Sequence, residues 1–431
     1  TVLDIKLLRE NPDLVRNNLA RRQDLEKTKL LEEVIRHDKA WRSLTTEVNS
    51  LRRVRNKISS EVARLKSEGR DASEKMSEGD KVQEVIKEAE AERERLENQI
   101  REGLMRLPNL LHESVPFGKD EHDNVEIRRG GEPRNFGFEP KGHVDIGLNL
   151  GLIDEARAGK VAGAGFAYLK NELVLLDYAI LRFATDFLIK RGFRLVEPPF
   201  MIKRKPYEGV TSLEDFENVL YKVEGEDLYL IATSEHSMAA MFMDEVLNME
   251  DLPTKLVGIS PCFRKEVGAH GKYTKGLFRM HHFNKVEQFI FSLPEDSWKF
   301  HEELQRNSED LYQALGLYYR VVNVCTGDIG ILAAKKYDTE VWMADGAFRE
   351  IGSNSNCTDY QARRLNIRYR EKEGQAPKGF VHTLNNTALA TSRTMMAILE
   401  QYQQEDGSVV VPKVLRPYMN GLEKIERKQQ K

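Results

Sequence analysis

Between residues 41 and 107 the chain carries two hydrophobic seams that constrain its backbone more tightly than any other feature. Trp41, Val48, Arg55 and Val62 recur every seven residues, and Leu44, Leu51, Ile58 and Leu65 form a companion row. These are the a and d rows of a coiled coil, interrupted once by Arg55. Val82, Ala89 and Leu96 repeat the pattern, alongside Ile86, Arg93, Ile100 and Leu107. The intervening "SEGRDASEKMSEGD" reads as the turn of an antiparallel helical hairpin over about 29–107. At 1.5 Å per residue each helix is about 50 Å long. A narrow two-helix seam buries little, so the hairpin is expected to project as an arm from a larger body. The preceding "VLDIKLLRENPDLVRNNLARR" reads as a short helix at the arm's base.

The first arm helix carries Arg52, Arg53, Arg55, Lys57, Arg64 and Lys66 among few acids. Such charges ordinarily solvate a coiled-coil face. Clustered on a projecting rod, they also suit a phosphate backbone. The net charge of −3 over 431 residues argues against a protein basic throughout, but does not exclude nucleic acid, because local charge decides.

With 40% hydrophobic residues the chain can fill at least one large core, and its length favours two domains, 1–110 and 111–431. Cys262, Cys325 and Cys357 are widely spaced and contain no CxxC pair, so neither a disulfide framework nor structural zinc is indicated. A reducing, cytoplasmic compartment fits. No apolar run reaches about 18 residues, and "TVLDIKLLRENPD" lacks a signal-peptide pattern. A start other than Met is what processing or trimming would leave.

Beyond "LPNLLHESVPFG" the pattern becomes mixed. A helix is expected over 168–192, stopping at Gly192. Strands are expected in "FRLVEPPFMI", "DLYLIATSEHS", "KLVGISPCFRKE", "GLFRMHHFNKVEQFIFS", "YYRVVNVCTGD", "KKYDTEVWMAD" and "AFREIGSNSNCTD". "PEDSWKFHEELQRNSEDLYQALG" and "LATSRTMMAILEQYQ" read as helices. Successive strands without a strict β-α-β rhythm predict an α+β fold, an antiparallel sheet flanked by helices.

Several of these strands carry charges where a core strand would carry Val or Thr. With a period of two, Thr233 and Glu235 share a face, as do Arg264 and Glu266, and Phe283, Lys285, Glu287 and Phe289. Glu350 precedes Ser353, and Arg393 lies among apolar helical residues. An exposed, solvated hairpin is the plain alternative for any one pair. Together, buried charges of both signs are costly unless a ligand pairs them. An amino acid and a magnesium-bound nucleotide meet that requirement.

In chain order, "GFRLVEPPF", "FRKE" with "HHFNKVEQF", and "NTALATSRTMMAILEQYQ" resemble the three signature motifs of class II aminoacyl-tRNA synthetases. Joined by "TSE", "REIGSNSNCTDYQARR", "DGSVVVPKVLRPYM" and the hairpin, the series resembles the seryl-tRNA synthetase family almost end to end. The resemblance implies serine activation by ATP and transfer to tRNA(Ser), and leaves tRNA(Sec) open as a second acceptor. It implies that Arg264 holds the α-phosphate and the substrate carboxylate, Glu266 the adenine amino group, and Phe283 the adenine face. Thr233, Glu235 and Glu287 would form the serine pocket, bordered by Asn385 and Thr387. Glu350 and Ser353 would carry ATP-bound Mg²⁺, and Arg393 the γ-phosphate. The arm residues named above would contact tRNA, the loop "VGAHGKYTKG" would reach the acceptor end, and the body would be a homodimer joined through the first motif.

The chain departs from the family's usual pattern at His236 and Ser392. His281 and His282, near Cys262, invite a zinc reading, but neighbouring strand residues point to opposite faces. One packed histidine and one near the nucleotide is the expectation. Two rivals remain: a non-catalytic RNA-binding paralogue, and a ligase that loads serine onto a carrier protein. The first should lack Arg264, Glu350 or Arg393, and the second has no need of a basic arm.

Overall fold

The computed structural model describes residues 4–267 and 276–427. The chain forms two compact units, Thr1–Pro108 and Asn109–Lys431. The loop expected to reach the tRNA acceptor end lies almost wholly outside the described residues.

In the first unit, two helices replace the single one expected: α1 (Ile5–Glu10) and α2 (Pro12–Ala20). Pro12 cannot continue α1 but suits a first helical position, and the Asn11 side chain caps the new helix by accepting from the Leu14 N–H at 3.3 Å. The hairpin comprises α3 (Leu25–Ser67) and α4 (Ser73–Arg106). Its 43-residue first helix corresponds to about 65 Å, longer than the heptads alone suggest. Val48, Ile58, Ile86 and Leu96 are buried, as the heptads require.

The turn is shorter than its composition implied, covering only residues 68–72. Asp71 accepts from the Ser73 N–H at 2.9 Å and restarts the helix. Gly79, read as a turn residue, lies inside α4, where a Cβ would stand 3.4 Å from Ile58 Cγ2. Asp38 is buried on α3 because Arg9 grips it at 2.6 Å and Arg42 reaches it at 3.0 Å.

The second unit is built on an eight-stranded sheet. Its strands are β1 (Val125–Gly130), β2 (Arg194–Val196), β3 (Thr254–Phe263), β4 (His282–Ser292), β5 (Tyr319–Asn323), β6 (Lys335–Trp342), β7 (Phe348–Asn356) and β8 (His382–Ala390). The order is β1-β5-β6-β7-β8-β4-β3-β2, antiparallel except for the parallel β2–β3 pair at one edge. The predicted α+β class is therefore observed. β1 and β8 were not anticipated. β8 is covered on both faces, so "HTLNNTALA" shows no alternation to mark it as a strand.

The helices that matter for the site are α5 (Glu172–Lys190), α6 (Ser234–Ala239), α7 (Ser297–Ala314), α8 (Tyr360–Leu365) and α9 (Thr391–Gln401). α5 begins four residues later than expected, because Tyr168–Leu169 pairs with Ile153–Asp154 as a short ribbon. On one face of the sheet, Leu176 and Ile180 of α5 and Met395 and Leu399 of α9 pack with Ile290 and Leu384. On the other, Tyr207, Leu256, Phe289 and Leu365 form a second core. Adjacent Phe289 and Ile290 serve opposite faces, as strand geometry demands.

Candidate active site

The middle of the sheet supplies the polar floor of a pocket. Phe283, Lys285 and Glu287 share one face of β4, and Glu287 pairs in register with Thr387 of β8. Glu287 is 1% exposed, with Lys285 Nζ at 2.6 Å from its Oε2 and the Thr387 hydroxyl donating at 3.4 Å. Burial pushes its carboxyl upward, and Lys285 opposes that shift. Removing one partner of such a buried pair costs about 3–5 kcal/mol, so the pair must be kept whole or completed by ligand charge.

Thr233 and Glu235 reach this floor by a route different from the strand expected. The strand stops at Leu230, and Thr233 becomes the N-cap of α6, accepting from the Glu235 N–H at 3.2 Å. Glu235 Oε1 then accepts from Asn385 Nδ2 and Gln361 Nε2, each at 3.1 Å. Burial, reinforced by Glu287, pushes the Glu235 carboxyl up to about 7. Gln361, on α8, was not singled out in the sequence. It is oriented by Thr383, whose hydroxyl donates to its Oε1 at 2.7 Å.

Arg264 and Glu266 also depart from the expected alternation. β3 ends at Phe263, and Glu266 adopts a left-handed φ of +52°. Arg264 Nε donates to the Ala232 carbonyl at 3.3 Å, and its guanidinium lies 5.2 Å from the Phe283 ring centroid. Glu266 accepts from Arg279 at 3.0 Å. Arg279 had no sequence signal beyond its place in "GLFRMHH".

The opposite wall comes from β7 and α9. Arg393, in the first turn of α9, donates from Nε to the Phe278 carbonyl at 3.1 Å and from NH1 to the Glu350 carbonyl at 3.0 Å. Its guanidinium stands 4.3 Å from the Phe278 ring centroid and 3.7 Å from Glu350 Oε1. Ser353 donates to the same oxygen at 3.2 Å. Partial burial works to raise the Glu350 carboxyl, but Arg393, Lys336 and Arg264 outweigh it and hold it below the usual carboxylate range. Glu350 is thus an ionised oxygen donor beside a hydroxyl, a pair suited to a hard divalent cation.

A single cavity is lined by Arg264, Glu266, Phe283, Glu350, Thr387 and Arg393, with Lys285 and Phe278. Arg264 and Glu266 also line a second hollow that contains Thr233. Phosphate-seeking cations, an aromatic face and a paired carboxylate floor therefore adjoin one another.

The unusual positions are packing residues. His236 is buried and shares a 2.8 Å hydrogen bond with the Tyr207 hydroxyl, and burial pushes its imidazole down to about 3. Ser392 is buried at the start of α9. His281 stacks on Phe166 and contacts the Arg264 carbonyl at 2.8 Å, whereas His282 is exposed and stacks on Phe263. Among the described residues no group of three or more His, Cys, Asp or Glu is placed to hold a metal ion.

On the arm, Arg52, Arg53, Lys57, Arg64 and Lys66 are all exposed, and Arg64 faces Glu68 at 3.6 Å. Arg52 is ion-paired with Glu90 at 2.5 Å, and Arg55 reaches across the seam to Gln83 at 3.2 Å.

A class II synthetase core is what this sheet and its flanking helices define. The tRNA synthetase class II core domain (G, H, P, S and T) matches residues 219–402, and the seryl-tRNA synthetase N-terminal domain matches residues 2–111. The serine–tRNA ligase of Methanocella arvoryzae is 55% identical over 423 residues, spanning 98% of this chain and 100% of that one. The crystal structure of seryl-tRNA synthetase from Pyrococcus horikoshii complexed with ATP aligns with a TM-score of 0.94 at 51% identity, covering 99% and 100% of the two chains. Cytoplasmic serine–tRNA ligase from Naegleria fowleri in complex with AMP aligns at 0.90 and 35% identity, over 100% of both chains. The chain belongs to the seryl-tRNA synthetase family.

Proposed function

We infer that this chain is an ATP-dependent serine–tRNA ligase. The observation that carries this reading is the meeting of Glu235 and Glu287 in one buried floor, beside Arg264 and the Arg393–Glu350 pair. The floor supplies negative charge for an ammonium group and hydrogen-bond partners for a hydroxyl. The cations beside it suit a triphosphate.

In the first step a serine carboxylate oxygen attacks the α-phosphorus, forming seryl-adenylate and expelling pyrophosphate. In the second, a terminal ribose hydroxyl of tRNA attacks the seryl carbonyl, releasing AMP. Neither step needs a protein nucleophile, so orientation and charge stabilisation carry the catalysis. Thr233, Glu235, Glu287, Asn385 and Thr387 orient serine. Arg264 holds the α-phosphate and substrate carboxylate, Phe283 and Glu266 receive the adenine, and Arg393 grips the γ-phosphate. Glu350 and Ser353 are the donors that fit Mg²⁺, which would neutralise phosphate charge as pyrophosphate leaves.

The division at about residue 110 gives one domain to tRNA and one to chemistry, with the arm cradling the long variable arm of tRNA(Ser). The body is a homodimer. Supporting this, β2 is an edge strand, and Leu195 on it, Met201 beyond it, and Leu175 and Tyr178 on neighbouring α5 are exposed apolar residues. A cytoplasmic setting suits these substrates. No helix among the described residues is long and apolar enough to cross a membrane.

Serine-dependent ATP–pyrophosphate exchange, followed by charging of tRNA(Ser) and tRNA(Sec), tests the assignment. Exchange that is absent with serine overturns it. Sedimentation showing only monomer at micromolar concentration removes the dimer.

A further inference from the structure

We propose that His143 is a positioning residue for the ATP site, acting through the Leu277–Phe278 peptide segment. This rests on the assignment of that site to ATP. His143 lies in the short helix His143–Asn149 and is not part of the pocket lining.

Its side chain is 1% exposed and makes two directed contacts. Nε2 accepts from the Leu277 N–H at 3.1 Å, so the ring proton resides on Nδ1. Nδ1 then donates to Glu400 Oε1 at 2.8 Å, and the His143 backbone N–H donates to the same oxygen at 2.9 Å. The other Glu400 oxygen accepts from the Ala344 N–H at 2.8 Å, which fixes the carboxylate. Gly276 leaves room for this contact, since a Cβ there would collide with His143 Nε2.

Glu400 and Arg393 belong to the same helix, α9. Arg393 holds the Phe278 carbonyl directly, and Glu400 holds the Leu277 N–H through His143. The segment is therefore bracketed from both ends by one helix. Phe278 in turn supports the Arg393 guanidinium at 4.3 Å, and Arg279 next to it supports Glu266. The serine-side groups Glu235, Glu287, Asn385 and Thr387 form no part of this relay. Without the imidazole acceptor, the Leu277 N–H is a buried donor with no partner, and the segment that orients Arg393 loses one anchor.

The test uses two substitutions that each keep half of the imidazole. In His143→Gln the amide oxygen replaces Nε2 as acceptor for Leu277. In His143→Asn the amide nitrogen replaces Nδ1 as donor to Glu400, and the Leu277 contact is lost. H143N should raise the KM for ATP roughly tenfold in serine-dependent exchange, with the serine KM near wild type and Tm lowered by only a few degrees, as one unpaired buried N–H requires. H143Q should restore the ATP KM to within about threefold of wild type. Equal ATP KM values in wild type and H143N overturn the inference. So does an H143N protein that loses serine and ATP affinity together or fails to fold, since either marks a packing role. Wild-type protein that shows no serine-dependent exchange instead overturns the functional assignment, a failure visible before any variant is made.

Discussion

Glu350 and Ser353 lie three residues apart on β7 yet meet on one face, hydroxyl to carboxylate at 3.2 Å. In a regular strand they would point to opposite sides. Register with β6 shifts at this point: Glu350 pairs with Glu340 and Gly352 with Thr339, leaving Ile351 as the extra residue of a bulge. Ser353 consequently sits opposite Asp338, two places from Glu350's partner, and on the same side. The bulge creates the donor pair suited to Mg²⁺.

Arg393 should matter mainly to adenylate formation. Arg393→Ala is expected to lower exchange by about 10²–10³, as for loss of one preorganised charge-stabilising group. Arg393→Lys should recover only part of this, because an ammonium cannot hold the Phe278 and Glu350 carbonyls in the guanidinium's fork. A folded R393A enzyme with near-normal exchange would show that the arginine is only structural.

Amino-acid choice should be steep against alanine. A pocket that hydrogen-bonds the serine hydroxyl leaves buried polar groups unpaired when alanine enters, so discrimination on the order of 10⁴ is expected. Threonine must be excluded by shape, and its rejection should be weaker. Comparable exchange with alanine contradicts the pocket. Gln361→Ala should raise the serine KM roughly tenfold, since it removes one of two amides that hold Glu235.

Serine affinity should depend on pH through Glu235. Burial and Glu287 raise its carboxyl from 4.5 to about 7 in the ligand-free protein. The folded state thus holds a proton that the unfolded state releases, and ligand-free stability falls as pH rises through this interval. An ammonium ligand favours the ionised carboxylate, so serine binding in the same interval releases a proton. Apparent affinity should then weaken as pH drops below about 7, by up to about tenfold per unit. Calorimetry at pH 6 in buffers of different ionisation enthalpy measures the proton count, and uptake on binding contradicts this account.

The arm should serve tRNA and not serine activation. Removing residues 36–100 behind a short linker should leave exchange nearly intact and abolish efficient charging. Neutralising Arg53, Lys57 and Lys66 should flatten the salt dependence of tRNA binding, each lost phosphate contact lowering the slope by somewhat under about one unit. Arg52 and Arg55 should matter less to binding, because Glu90 and Gln83 already engage them. Unchanged charging by the arm-deleted protein would make the arm a solvated rod.

The sequence alone determined the features written as local periodicity. Seven-residue spacing fixed the hairpin, and alternating charge on β4 placed Lys285 and Glu287 on one face, because both patterns follow directly from backbone repeat. Motif order likewise disclosed Arg264, Glu350 and Arg393 as partners. Tertiary structure decided where periodicity breaks. Thr233 caps a helix instead of extending a strand, Glu266 turns into left-handed backbone, and the Ile351 bulge joins Glu350 to Ser353. β8 was hidden because burial on both faces erases alternation, although it carries Asn385 and Thr387. Gln361, Arg279 and His143 gave no local signal, since each acts on a residue distant in the chain. Long-range contacts of this kind are set by the packing of helices against the sheet, which no short window of sequence encodes.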